Sequence, residues 1–325
     1  VRERLAKVCP LKRNGRLGYS HFFKKESMMF TGLSAFPLTP LAGAKIDEKS
    51  FVSLIENLVD AGVDSIGALG STGSYAYLTR EQRLRVTRLA VDAASGTPVM
   101  TSISNISADE VMRLAEDAQN AGVSGVLLAP LSYQKLSADE AFRLYERVTA
   151  GLSVPLCVYD NPATTGFHFS DDLLVALANL NHVASIKLGE LPAEWSAASQ
   201  RIAALKSRIA GEVTLGISGD ARAAPGLIAG CGVWYSVLGG LFPRYALRLT
   251  RAAQRGDEDE AIRLSADLAP LWAFYHRHGS LRAIATVAEI LGIAPAPCLP
   301  FPLQTLSGQE RLSLEQILGQ LPRLD

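Results

Sequence analysis

Cysteine is scarce in this sequence: Cys9, Cys157, Cys231 and Cys298 lie far apart in 325 residues, and no C-x-x-C pair occurs. That spacing excludes a disulfide framework, argues against a structural zinc site and suits a reducing compartment. No run approaches about 18 uncharged apolar residues, so no segment reads as a membrane-spanning helix. Charge of one sign is also lacking, because 32 basic side chains balance 32 acidic ones. With 27 glycines and 16 prolines the chain is neither collagen-like nor of low complexity. What is present is apolar: 48% of residues are hydrophobic and 20% charged, which excludes a wholly disordered chain. The length is enough to bury a large core without staples.

The overall neutrality hides a segmental difference. Residues 1–27 carry eight basic side chains against Glu3 and Glu26, a net of +6, which leaves −6 for the rest. This head lacks the apolar stretch of a secretory signal. Residues 1–28 are expected to be a peripheral basic extension or upstream sequence ahead of Met28-Met29. The competing reading is an arm for nucleic acid or anionic lipid.

From Phe30 onward, short β-branched runs recur at 33–36, 65–69, 98–103, 125–129, 155–159, 183–186, 213–217 and 233–237. Helical periodicity follows them, as in Phe51, Leu54, Ile55, Leu58 and Val59. Asp47 or Ser50, Ser107 and Ser137 are placed to cap helix N-termini. Ala-Gly steps at 61–62, 121–122 and 229–230 precede strands, where glycine can close a helix in the left-handed conformation. Eight βα units in a little over 200 residues predict an α/β fold, a (β/α)8 TIM barrel over 29–242. An open doubly wound sheet is the alternative, but the stretch after the first strand, Phe36-Pro-Leu-Thr-Pro40, offers no glycine-rich phosphate loop. Residues 243–325 read as a C-terminal helical extension, with helices at 245–253, 257–275, 281–291 and near 312–318.

Strand ends and the loops after them are where a barrel carries chemistry. Lys187 closes the apolar run Val183-Ala-Ser-Ile-Lys187. Desolvation there lowers an amine's pKa and suits it to condense with a carbonyl as a Schiff base, although a salt bridge past the strand end is equally compatible. Tyr159, ending strand five, could pass protons or be an ordinary buried phenol. Gly70-Ser-Thr-Gly73 leaves backbone N–H groups free, a nest for a carboxylate or a plain turn. Tyr133, after strand four, suits a surface or an interface equally.

Taken together, Gly70-Ser-Thr-Gly73, Tyr159-Asp-Asn-Pro162, Thr165-Gly166, Ile186-Lys187 and Ser218-Gly-Asp220 resemble the dihydrodipicolinate synthase/N-acetylneuraminate lyase family. The resemblance runs from Met29 into the helical tail. It implies a class I lyase or synthase that needs no metal and no organic cofactor. Lys187 would form the imine with pyruvate or another 2-oxo acid, and Tyr159 would shuttle protons. Ser71 would link to that tyrosine. Tyr133 would complete the relay, in many members from a neighbouring subunit. Thr72 and Gly73 would hold the 2-oxo acid carboxylate; Thr164, Thr165, Gly219 and Asp220 fall on the substrate-binding loops. A cytoplasmic homotetramer, a dimer of dimers, is further implied, with neither nucleic acid nor membrane as partner.

The departures bear on the substrate. Thr164 stands where dihydrodipicolinate synthases place an arginine for the second substrate's carboxylate, and Ser74 replaces a glutamate. Ser132-Tyr133 replaces paired tyrosines, and the register around Gly232–Val237 is ambiguous. Loss of a bidentate cation makes an acceptor with its own carboxylate a poor fit. The sialic acid lyase pattern after strand five is not matched. The expected activity is therefore pyruvate-dependent carbon–carbon or carbon–oxygen lyase chemistry with an open acceptor. The alternatives are a 2-oxo-3-deoxy sugar acid aldolase or dehydratase, and a catalytically retired barrel that binds a small carboxylate for regulation.

Overall fold

The computed structural model describes residues 28–324 except residues 190, 193 and 210. The basic head, 1–27, lies outside the described residues. Eight parallel strands close into a barrel: β1 (Gly32–Ala35), β2 (Ser65–Ala68), β3 (Val99–Ser102), β4 (Gly125–Leu128), β5 (Leu156–Tyr159), β6 (Val183–Leu188), β7 (Thr214–Ser218) and β8 (Val233–Ser236). Each strand pairs with its sequence neighbours, and β8 returns to β1 with Leu33 opposite Trp234. The architecture is the (β/α)8 barrel with C-terminal helices that the alternation predicts. Strand bounds differ by up to two residues at the ends, and Gly232, just before β8, donates its N–H to the Leu215 carbonyl.

A short antiparallel hairpin, Leu41–Ala42 with Lys45–Ile46, separates β1 from the first helix. Then come α1 (Glu48–Ala61), α2 (Arg80–Ala93), α3 (Ala108–Asn120), α4 (Ala138–Thr149), α5 (Pro162–Thr165), α6 (Asp171–Ala178), α7 (Trp195–Arg208) and α8 (Ala223–Ile228). The expected caps form. Asp47, Ser107 and Ser137 each accept a backbone N–H from the first turn, and Ser137 with Glu140 makes a full capping box. Gly62, Gly122 and Gly230 all have positive φ, at 78°, 82° and 105°, the conformation that glycine adopts at least cost.

The C-terminal region holds α9 (Pro243–Gln254), α10 (Glu258–Ala266), α11 (Ala269–His278), α12 (Ser280–Ile290) and α13 (Gly308–Gln320). The single helix expected over 257–275 is in fact two. Pro270 sits in the first turn of α11; lacking an N–H, it cannot extend α10 but can begin a new helix.

Two apolar layers result. A large shell fills the space between strands and helices. Inside the barrel lies a second cluster that includes Phe36, Met100, Leu127, Cys157, Tyr159 and Tyr235. Alternation along the strands explains the division, since successive side chains point to opposite faces of the sheet. The inner cluster is the floor on which the polar groups of the barrel mouth stand.

Candidate active site

Tyr159 and Lys187 are register partners at the C-terminal ends of β5 and β6. Both point into the barrel and are buried, at 5% and 4% exposure. Backbone contacts fix their frame. The Asp160 N–H donates to the Lys187 carbonyl over 3.1 Å, and a Cβ on Gly189 would fall 2.2 Å from the Asp160 carbonyl oxygen. Only a glycine lets the two strand ends run this close.

The Lys187 amine lies among three aromatic rings, 3.9 Å from the centroid of Phe36, 4.2 Å from Tyr159 and 5.5 Å from Tyr235. Burial lowers its pKa from 10.5 to about 8, although Cys157 and Asp220 act in the opposite direction. The Cys157 thiol is itself pushed up to about 11 by burial, so it is neutral when Lys187 titrates. Asp220 is then the anion that faces the amine.

The Tyr159 hydroxyl is held from two sides. Asn161 Nδ2 donates to it over 2.8 Å, and Ser71 Oγ lies 3.3 Å away. Burial raises the phenol's pKa, partly offset by these two hydrogen bonds. Ser71 arrives from the loop after β2, where Leu69 and Ser74 both adopt left-handed backbone with φ 55°. Such conformations cost about 1 kcal/mol or more each outside glycine. They fold Gly70–Gly73 back over the mouth and bury Thr72 and Gly73.

The remaining expected residues are placed unevenly. The Thr164 and Thr165 hydroxyls both donate to the Asn161 carbonyl, and Thr165 Oγ1 accepts from the Phe167 N–H, which stiffens the turn after β5. Gly219 is exposed with φ 85°. Asp220 is buried and accepts from Trp234 Nε1, Ser236 Oγ and the backbone N–H groups of Val237 and Leu238, at 2.7–3.2 Å. Its carboxylate is thus engaged within the chain, stapling β7 to β8. Burial raises its pKa to about 6 against the effect of those donors. Tyr133 is not brought to Tyr159 within the chain. It is 89% exposed, beside a cavity of about 450 Å³ that also touches Lys135, Thr165 and His168.

Several residues at the mouth have roles that the sequence does not disclose. Asn161 falls within the Tyr159-Asp-Asn-Pro162 motif with no role of its own, and Phe36 only opens a loop that lacks phosphate-binding glycines. Tyr235 joins an interior chain beneath Lys187, its hydroxyl 2.5 Å from Ser185 Oγ and 3.4 Å from Cys157 Sγ. Arg83 is buried on α2 and donates to the Ser102 and Ser104 carbonyls, with its guanidinium 5.3 Å from the Tyr75 ring centroid. A charged residue on the inner face of an amphipathic helix gives no pattern from which that partner set follows.

The chain is similar to known proteins along most of its length. The model of the Dihydrodipicolinate synthetase family matches residues 29–321. The crystal structure of dihydrodipicolinate synthase from Agrobacterium tumefaciens superposes with a TM-score of 0.88 at 41% identity, covering 91% of this chain and 100% of that one. The solved structure of 4-hydroxy-tetrahydrodipicolinate synthase from Methylacidiphilum fumariolicum gives 0.82 at 26% identity, covering 89% and 95%. The 4-hydroxy-tetrahydrodipicolinate synthase of Syntrophobacter fumaroxidans is 27% identical over 291 residues, 89% of this chain and 98% of that protein. With its closed barrel and this match across nearly every described residue, the chain belongs to the dihydrodipicolinate synthetase family of lyases and synthases.

Proposed function

We propose that the protein is a 2-oxo-acid-dependent lyase or synthase that works through an imine on Lys187, with pyruvate as donor or product. The observation that carries this reading is the dry, partly neutral amine of Lys187 set 4.2 Å from the Tyr159 ring. In its neutral form the nitrogen adds to the keto carbon. The former carbonyl oxygen then takes the two protons that the nitrogen gives up, with the Tyr159 hydroxyl as carrier, and leaves as water. Protonation of the imine draws electrons from the adjacent carbon, which lets that carbon lose a proton or a carbon–carbon bond. Ser71 and Asn161 orient the phenol, and the Thr72-Gly73 segment holds the 2-oxo acid's carboxylate.

A specific observation favours acceptors without a carboxylate of their own. At the turn after β5, Thr164 offers a hydroxyl already bonded to the Asn161 carbonyl, where an arginine would grip an anion. Simple aldehydes, or 2-oxo-3-deoxy sugar acids that are cleaved or dehydrated, suit this turn better than an anionic semialdehyde. The exposed Tyr133 supports assembly into a homotetramer in which it completes the relay of a neighbouring subunit. A screen of aldehydes with pyruvate, alongside 3-deoxy-2-oxo sugar acids, tests the reading by following pyruvate. Consumption or release that disappears in Lys187→Ala is expected. No change in pyruvate and no loss of any 3-deoxy-2-oxo sugar acid would leave the retired carboxylate-binding barrel in its place.

A further inference from the structure

Phe36 follows β1 directly, and its N–H donates to the Ser236 carbonyl over 2.8 Å, tying the chain to β8. Its ring is 2% exposed and turns into the barrel mouth. One side of the ring occupies a slot left by two glycines, since a Cβ on Gly67 or on Gly70 would come within 2.4 Å of a ring carbon. Another side meets Tyr235 edge-on, with centroids 6.0 Å apart and planes at 84°. Above it stands the Lys187 amine, 3.9 Å from the ring centroid and closer than to either tyrosine ring. A side chain from just past β1 therefore reaches across to β6 and β8, with β2 and the turn after it hollowed to make room.

We infer that Phe36 is a positioning residue for Lys187: its ring is the floor of an aromatic slot that keeps the amine dry and against Tyr159. The inference rests on the imine reading of Lys187. The titratable groups that face the amine are Tyr159 and Cys157 from β5, Asp220 after β7 and Tyr235 from β8. Phe36 adds no charge to this set. It acts in two opposed ways. Its bulk excludes water, which disfavours the ammonium, while its π face attracts the cation. Exclusion of water dominates, because burial is the largest cause of the downward shift at Lys187.

The two contributions separate by substitution. Phe36→Ala opens a space that water can enter beside a polar mouth, whereas Phe36→Leu keeps an apolar plug and removes only the π face. Competitive labelling of the full chain with acetic anhydride across pH, with the Lys187 peptide quantified by mass spectrometry, reads the amine without any 2-oxo acid. A wild-type midpoint near 8 is expected. Phe36→Ala should raise it by about one pH unit, and Phe36→Leu should leave it in place or lower it. Trapping of pyruvate with borohydride at neutral pH should then slow about tenfold in Phe36→Ala, following the smaller neutral fraction. An unchanged midpoint in folded Phe36→Ala, or a rise in Phe36→Leu, overturns the inference. A wild-type midpoint near 8 with the expected shifts but no pyruvate adduct would leave Phe36 in this role and sink the imine reading instead.

Discussion

The amine of Lys187 lies 4.2 Å from the centroid of the Tyr159 ring, and the two residues are register partners on neighbouring barrel strands. Strand pairing brings the two residues side by side, so the proposed acid–base pair needs no loop movement to assemble. The lowered pKa of the amine, about 8 against 10.5, fixes a first expectation. The rate of imine formation should rise with pH along a limb centred near 8. Borohydride trapping rates measured between pH 6 and pH 10, at roughly constant ionic strength, check this.

The same shift has a thermodynamic consequence. Between about 8 and 10.5 the unfolded chain binds more protons at this site than the folded one, so its contribution to stability rises with pH. Below that window both states are protonated and the burial cost is complete, on the order of 3 kcal/mol. Lys187→Met removes the term. Denaturation of wild type and Lys187→Met should therefore differ most at pH 7 and converge by pH 11, with the methionine variant the more stable at the lower pH.

Tyr159→Phe keeps the ring beside Lys187 and deletes the proposed proton carrier. A fall in kcat of roughly 100- to 10,000-fold is expected, with the Lys187 adduct still forming slowly. Ser71→Ala removes one of the two hydrogen-bonding partners of the phenol and should cost only about tenfold. Single-turnover trapping separates the two effects.

Asp220→Ala tests whether that carboxylate serves substrate or scaffold. Four donors from Trp234, Ser236, Val237 and Leu238 would lose their acceptor in a buried setting. A loss of stability of about 3 kcal/mol or more is expected. Measured at a temperature where the variant is folded, the KM for the 2-oxo acid should change little. A large rise in KM with unchanged melting would assign Asp220 to substrate instead.

Gly67→Ala drives a Cβ to within 2.4 Å of the Phe36 ring. Overpacking of this kind costs roughly 1–3 kcal/mol. Combining it with Phe36→Leu should recover part of that loss in a double-mutant cycle, because the two sites share one space.

The sequence discloses the barrel because its signals are periodic and local. Alternating strand and helix patterns, Ser137 with Glu140, and Gly62 after Ala61 each report the element they sit in. Lys187 and Tyr159 stand out as polar groups ending apolar strands, but that position alone leaves a salt bridge or a buried phenol open, and only the family resemblance gives them roles. Phe36, Tyr235 and Arg83 do not stand out, since their roles depend on contacts between strands and helices far apart in the chain. The helix break before Pro270 was missed because the apolar pattern runs through it. Tyr133 takes its relay role from the resemblance alone, and its ring is exposed, with nothing among the described residues of one chain holding it near Tyr159.

Incubation of the protein with pyruvate and borohydride, followed by peptide mapping, tests the central claim most directly. A single reduced pyruvyl adduct is predicted, on Lys187, absent from Lys187→Ala and strongly reduced when the amine is protonated below about pH 6. Saturating pyruvate with no adduct, or an adduct on any other lysine, would contradict the account.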